Sequence, residues 1–390
     1  MDVKIKLKIE VIIKENNEMC ILPWVSLTIR NKKEVTPCMH YNFNDESVGK
    51  TTNIKDIFRS SCSDMFTDIK QKMLSGVKVE GCQVCTLNKK DSFKKYFNSI
   101  NKKELSNIND INSELSLKYL SLGLGNTCNL ACLTCGEQGS NTWALYHLGE
   151  EIKTHPRDFG AFLQDIDVER LKHLEELTIS GGEPLLCEYL VPFLTRLKRV
   201  NANIKIIIFT NASIPLKLDF STALEGFSCV LFHISIDHLE DKNDALRFPL
   251  KWNVISNNLS SFSKFEINIF CTLSILNITY LQEFIDWYED LSFPKKSILF
   301  NPIHAPKELS PFYIKESFKE HLKEKYLKDE RLNKYGNLYP VLMRVVDSAV
   351  VDDPDLEHMK KKRIVRFKKY REVTGYNLNS IFKEVIPFTL

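Results

Sequence analysis

From about residue 116 onward, short apolar runs alternate with amphipathic stretches, and this alternation constrains the fold more than any other feature of the chain. It is the pattern of repeated strand-helix units that build a parallel sheet. Strands are expected at 117–124, 174–180, 204–210, 230–237, 266–273 and 297–302, with helices at about 138–150, 188–199, 251–262 and 278–289. The fold class is therefore α/β. Six strands fit a partial (β/α)6 TIM-like barrel better than a Rossmann sheet, although periodicity alone does not separate the two. In either fold, ligands gather at the carboxyl ends of the strands.

The chemically unusual residues do follow strands. A cysteine loop follows the first, Gly181-Gly182-Glu183-Pro184 the second and Asn211 the third, while Ser235 and Asp237 end the fourth. Taken singly, Gly-Gly-Glu-Pro is also a plain turn, and Asn211 or Asp237 a helix cap. Their joint placement puts all of them on one face.

Cys128, Cys132 and Cys135 form a C-x3-C-x2-C run on a single loop. Three thiolates ligate three irons of a cubane iron-sulfur cluster and leave the fourth open to a chelating ligand. Zinc is the competing reading, but zinc loops more often repeat C-x2-C pairs and need a fourth ligand. Cys20, Cys38, Cys82 and Cys85 make a second group. Four thiolates close a site, either an electron-relay cubane or a structural zinc, and spacing does not decide between them. Cys62 ranks lower as a ligand. Cys187, Cys229 and Cys271 lie in or beside apolar runs and read as buried small hydrophobes.

Residues 1–115 form a polar-rich N-terminal unit and linker, with a hairpin expected from Ile21 to Met39; residues 116–305 form the barrel. Residues 306–390 read as a charged helical C-terminal extension, including the run Lys360-Lys361-Lys362-Arg363, ordinarily a solvated helix face. At 390 residues, 43% hydrophobic and 26% charged, the chain is an ordinary globular protein. A net charge of +3 gives no sign of a nucleic-acid partner, and no apolar run is long enough to span a membrane. Val3 to Ile13 alternate with polar residues as a strand does, unlike a secretory segment, so a cytoplasmic location and reduced or metal-bound thiols are expected.

Together these motifs resemble the radical S-adenosylmethionine (SAM) superfamily, over about residues 15–305. Cys128-x3-Cys132-x2-Cys135 resembles its cluster loop, and Gly181-Gly182-Glu183-Pro184 its GGEP motif, which in that family contacts the SAM amino group. Thr210-Asn211 and Ser235-Ile236-Asp237 resemble the later strand-end motifs, the second of which lies near the SAM ribose in the family. Arg247 falls where relatives carry a basic residue toward the SAM carboxylate. The segments around Cys20, Cys38, Cys82 and Cys85 resemble an auxiliary-cluster region, here ahead of the barrel, for which twitch describes it better than SPASM. Two departures stand out: Thr134 precedes the last loop cysteine where an aromatic is common, and Ala212 follows Asn211 where Gly is common.

The resemblance implies a SAM-binding [4Fe-4S] cluster on Cys128, Cys132 and Cys135, with SAM held by Gly181, Gly182, Glu183, Asn211, Ser235, Asp237 and Arg247. It further implies an auxiliary [4Fe-4S] cluster on the second cysteine group, either an electron acceptor or a brace. The expected activity is reductive SAM cleavage to a 5′-deoxyadenosyl radical that abstracts hydrogen from a substrate, with electrons from a carrier such as flavodoxin or ferredoxin. A peptide or protein side chain is the expected substrate. A carbohydrate or other small metabolite is the alternative, and a non-enzymatic zinc-binding interaction protein the more distant one.

Overall fold

The computed structural model describes residues 20–30, 34–41, 49–50, 64–82, 117–149, 159–326, 328–349 and 351–389. The alternating segment Val3 to Ile13, Cys62, Cys85 and the 86–115 linker up to residue 116 lie outside the described residues.

Among the described residues nine strands form one sheet: β1 (Ser26–Ile29), β2 (Glu34–Thr36), β3 (Gly49–Lys50), β4 (Tyr119–Gly123), β5 (Glu176–Ser180), β6 (Lys205–Thr210), β7 (Cys229–Ser235), β8 (Glu266–Leu273) and β9 (Lys296–Pro302). Their order is β3-β2-β1-β4-β5-β6-β7-β8-β9. From β4 to β9 each strand pairs parallel with the next. All six coincide with the apolar runs of the sequence. The sheet is open, with β3 and β9 at its two ends, which is the partial barrel rather than a closed one.

Between the parallel strands lie α2 (Asn141–Leu148), α3 (Leu190–Val200), α4 (Leu218–Leu224), α5 (Glu240–Leu246), α6 (Trp252–Leu259) and α7 (Leu281–Asp290), following α1 (Asp64–Leu74) in the N-terminal segment. The helices bury one face of the sheet. Val230, Phe232 and Ile234 on β7 and Ile267, Ile269, Cys271 and Leu273 on β8 are buried, while the residues between them are only half-buried. On that second face Phe209 stacks on His233 at 4.5 Å and meets Phe270 edge-on.

The N-terminal strands extend the barrel sheet. β1 pairs parallel with β4, and β2 returns antiparallel to β1 as the expected hairpin. Beneath them a small core of its own forms from Ile21, Trp24, Val25, Tyr41, Ile69, Met73 and Val79.

Beyond β9 the chain is helical, with α8 (Glu316–Tyr326), α9 (Leu338–Val346) and α10 (Asp353–Thr374). This extension manages the exposed strand edge. Asn337, just ahead of α9, accepts from the Phe300 N–H at 2.9 Å and donates to the Phe300 carbonyl at 2.7 Å, so one side chain imitates a neighbouring strand. Gly336 (φ +51°) makes the approach possible, since a Cβ there would lie 2.3 Å from the Ile298 carbonyl oxygen. Asn337→Leu leaves both Phe300 backbone groups unpaired in a buried setting and should cost about 2–4 kcal/mol. The urea midpoint would read this; an unchanged midpoint would show that the edge is not held by Asn337.

Candidate functional site

The cysteine loop leaves β4 and is fixed at both ends by side chains that cap α2. Ser140 accepts from the Trp143 N–H at 3.0 Å and donates to the Leu130 carbonyl at 2.5 Å. Asn141 accepts from the Cys128 N–H at 3.0 Å, and the Thr142 hydroxyl donates to the Cys128 carbonyl at 2.5 Å. An N-cap residue thus serves the helix and the loop together. On its other side the loop is pinned to the chain after α5: Ala131 N–H donates to the Phe248 carbonyl at 2.6 Å and Leu133 N–H to the Leu246 carbonyl at 2.8 Å.

Burial pushes the Cys128, Cys132 and Cys135 thiols up to about 11, 12 and 11. For Cys132 the Arg247 cation is the first influence pulling the other way. The thiolate form therefore needs positive charge nearby, which bound iron supplies. Among the described residues no three His, Cys, Asp or Glu side chains close on one metal-ion position. A cubane asks for a different arrangement, with one thiolate to each iron.

Gly181 and Gly182 both adopt positive φ, +94° and +52°. Gly182 also approaches the cysteine loop so closely that a Cβ would lie 2.0 Å from the Thr127 carbonyl oxygen. The next residue completes the junction: the Glu183 N–H donates to that same carbonyl at 2.9 Å. The Glu183 side chain is fully buried and accepts three hydrogen bonds, from Thr210 Oγ1 at 2.8 Å, the Leu185 N–H at 3.0 Å and the Asn211 N–H at 2.7 Å. Burial raises its pKa, and these donors oppose the shift. Both carboxylate oxygens are engaged within the protein, so the side chain sets the positions of the β5 and β6 ends. Asn211 continues the chain of contacts, donating to Asn129 Oδ1 at 3.1 Å and lying 3.8 Å from Cys128 Sγ.

Asp237 and Arg247 form a buried ion pair, Nη1 to Oδ2 at 2.9 Å. Burial works against the Arg247 charge, but the Asp237 carboxylate beside it favours the cation and its pKa is raised. Asp237 is held from several sides: Oδ1 accepts from the Thr272 N–H at 2.9 Å, and its carbonyl accepts from Asn277 Nδ2 at 2.8 Å. Asn243 accepts from the Asp237 and His238 N–H groups at 3.3 and 3.4 Å. Ser235 ends β7, half-buried, two residues before Asp237.

The site contains unmet hydrogen-bonding capacity. Asn126 Oδ1, Thr127 Oγ1, Asn243 Nδ2 and Arg247 Nε are buried without a protein partner. Such atoms are costly unless a ligand or water satisfies them. With three thiols on one loop and a glycine-lined approach, the residues fit a cluster and a zwitterionic ligand chelated to it.

Of the second cysteine group, Cys20, Cys38 and Cys82 pack against the same small N-terminal core. Cys38 and Cys82 both lie near enough to Tyr41 to raise its hydroxyl pKa, after burial as the larger cause. Cys85 is outside the described residues. Sequence reasoning missed Asn243 and Asn277, whose amides order the Asp237 segment. Only their position after strands β7 and β8 could have signalled them.

No family model matches the chain. A GTP 3′,8-cyclase of Thermodesulfovibrio yellowstonii is 24% identical over 244 residues, 60% of this chain and 69% of the relative. Among solved structures, native anSMEcpe with bound AdoMet aligns at a TM-score of 0.40 and 19% identity. That alignment covers 55% of this chain, which spans about three fifths (61%) of the anSMEcpe chain. Streptococcus suis SuiB bound to precursor peptide SuiA aligns at 0.36 and 15% identity over 82% of this chain and 68% of the other.

The contact at Gly182 yields a direct test. Gly182→Ala drives a methyl group into the Thr127 backbone and must displace the cysteine loop. The variant should keep the secondary structure of the parent by circular dichroism yet lose most of the iron that the parent takes up on anaerobic reconstitution. Iron retention at the parent level would contradict the close approach.

Proposed function

We propose that the chain is a radical SAM enzyme in which Cys128, Cys132 and Cys135 hold a SAM-binding [4Fe-4S] cluster at which SAM is cleaved reductively. The observation that carries this is the convergence of the cysteine loop, the Gly181–Glu183 turn, Asn211 and the Asp237–Arg247 pair. Held by Cys128, Cys132 and Cys135, the cluster would supply the low-potential electron for reductive SAM cleavage and so for hydrogen abstraction from the substrate.

The chain's own residues orient and enclose. Arg247, kept cationic by Asp237, offers its unpaired Nε to the SAM carboxylate. The backbone of Gly181 and Gly182 would receive the SAM amino group, and Glu183 holds that backbone in place through Thr210 and Asn211. Ser235, at the end of β7, and Asp237 beyond it would border the ribose. Phe209, His233 and Phe270 form an apolar sheet face that limits water near the strand ends.

Cys20, Cys38, Cys82 and Cys85 hold an auxiliary [4Fe-4S] cluster in this proposal, supported by the packing of the first three against one small core. Full ligation suits it to accept an electron from a substrate radical, giving net oxidation of a peptide or protein side chain. The cyclase relative, whose name specifies a nucleotide, favours a second reading in which the substrate is a small metabolite.

Anaerobically reconstituted protein should hold about eight irons, falling to about four in the triple Cys128, Cys132 and Cys135→Ala variant. With a low-potential reductant and SAM, the parent should form 5′-deoxyadenosine and the triple variant none. Equal amounts from both would overturn the assignment, and about four irons in the parent would remove the auxiliary cluster.

A further inference from the structure

On the outer side of the cysteine loop, α2 and α10 enclose a cavity of about 530 Å³ that the SAM site does not use. Leu133, which lies between Cys132 and Cys135, forms part of its wall, and the Leu133 carbonyl accepts from Arg366 Nη2 at 3.0 Å. From α10 come Lys361, Lys362, Arg366 and Lys369, whose spacing places them on one helix face. Glu308 is the sole acid in the lining, and Arg366 engages it at 2.8 Å. Apolar side chains line the same cavity beside these cations: Leu133, Trp143 on α2, and Val365 and Tyr370 on α10, with Val365 exposed.

We propose that this notch between α2 and α10 is the docking surface for an acidic one-electron carrier protein that reduces the cluster on Cys128, Cys132 and Cys135. The inference rests on the radical SAM reading above and deepens it, because reductive cleavage needs an external electron. A carrier whose redox group lies at an apolar surface bordered by carboxylates matches both features, the apolar lining and the row of cations along α10. Docked there, it stands against the residue joining two cluster ligands. In the step itself the carrier loses one electron and the cluster gains it, with no bond made or broken.

The test uses reconstituted full-length holoenzyme and measures 5′-deoxyadenosine formation with two reductants. One is reduced flavodoxin, an acidic carrier protein; the other is photoreduced deazaflavin, a small neutral molecule that needs no docking surface. In the Lys361→Glu, Lys362→Glu, Lys369→Glu variant the flavodoxin-driven rate should fall at least tenfold, with the deazaflavin-driven rate within twofold of the parent. Raising salt should slow the parent's flavodoxin reaction and leave its deazaflavin reaction unchanged. An unchanged flavodoxin rate in the variant would overturn the inference. So would equal losses with both reductants at parental iron content, which would assign the face to the substrate. No product from the parent with deazaflavin would instead remove the radical SAM reading itself.

Discussion

One buried carboxylate ties the site together. Glu183 reaches across from the end of β5, accepts from Thr210 and Asn211 at the end of β6, and through its own N–H holds the Thr127 carbonyl of the cysteine loop. A carboxylate with no exposure to water is tolerable only when donors replace its hydration, and three do so here. Because the same residue follows two left-handed glycines, the turn it fixes lies directly against the loop bearing the thiols. Loss of that bridge would free three segments at once.

Around it the labour is divided by chemistry. The loop presents sulfur in a setting that disfavours the thiolate, whereas the β7 end presents an ion pair whose cation is secured by Asp237. Asn277 and Asn243, uncharged amides, hold the Asp237 backbone without adding charge to the site. The C-terminal extension closes the β9 edge through Asn337 and touches the cysteine loop through Arg366, so it belongs to the same structure as the barrel.

Much of this was legible in the sequence, for identifiable reasons. Strands such as Lys205–Thr210 are apolar over nearly their whole length because helices cover the sheet, and such runs stand out in a sequence. The helices α4 and α5 did not stand out: each is seven residues long, and α5 is mostly polar. The pairing of β1 with β4 was hidden as well, since a four-residue strand carries little pattern and its partner lies some ninety positions away. The cysteine, glycine and acidic residues of the site were evident from their order after the strands. What Glu183 does was not, because the donors that engage both of its oxygens come from another strand end and from its own backbone turn.

The central claim is that Glu183 positions the cluster loop, and Glu183→Gln tests it most directly, since the amide keeps the volume but replaces one accepting oxygen with a donor. The measurement is the electron paramagnetic resonance spectrum of the reduced, reconstituted variant with and without SAM, alongside its iron content and circular dichroism. A misplaced loop predicts native secondary structure but no SAM-induced change in the spectrum. A variant whose spectrum responds to SAM as the parent's does would contradict the account.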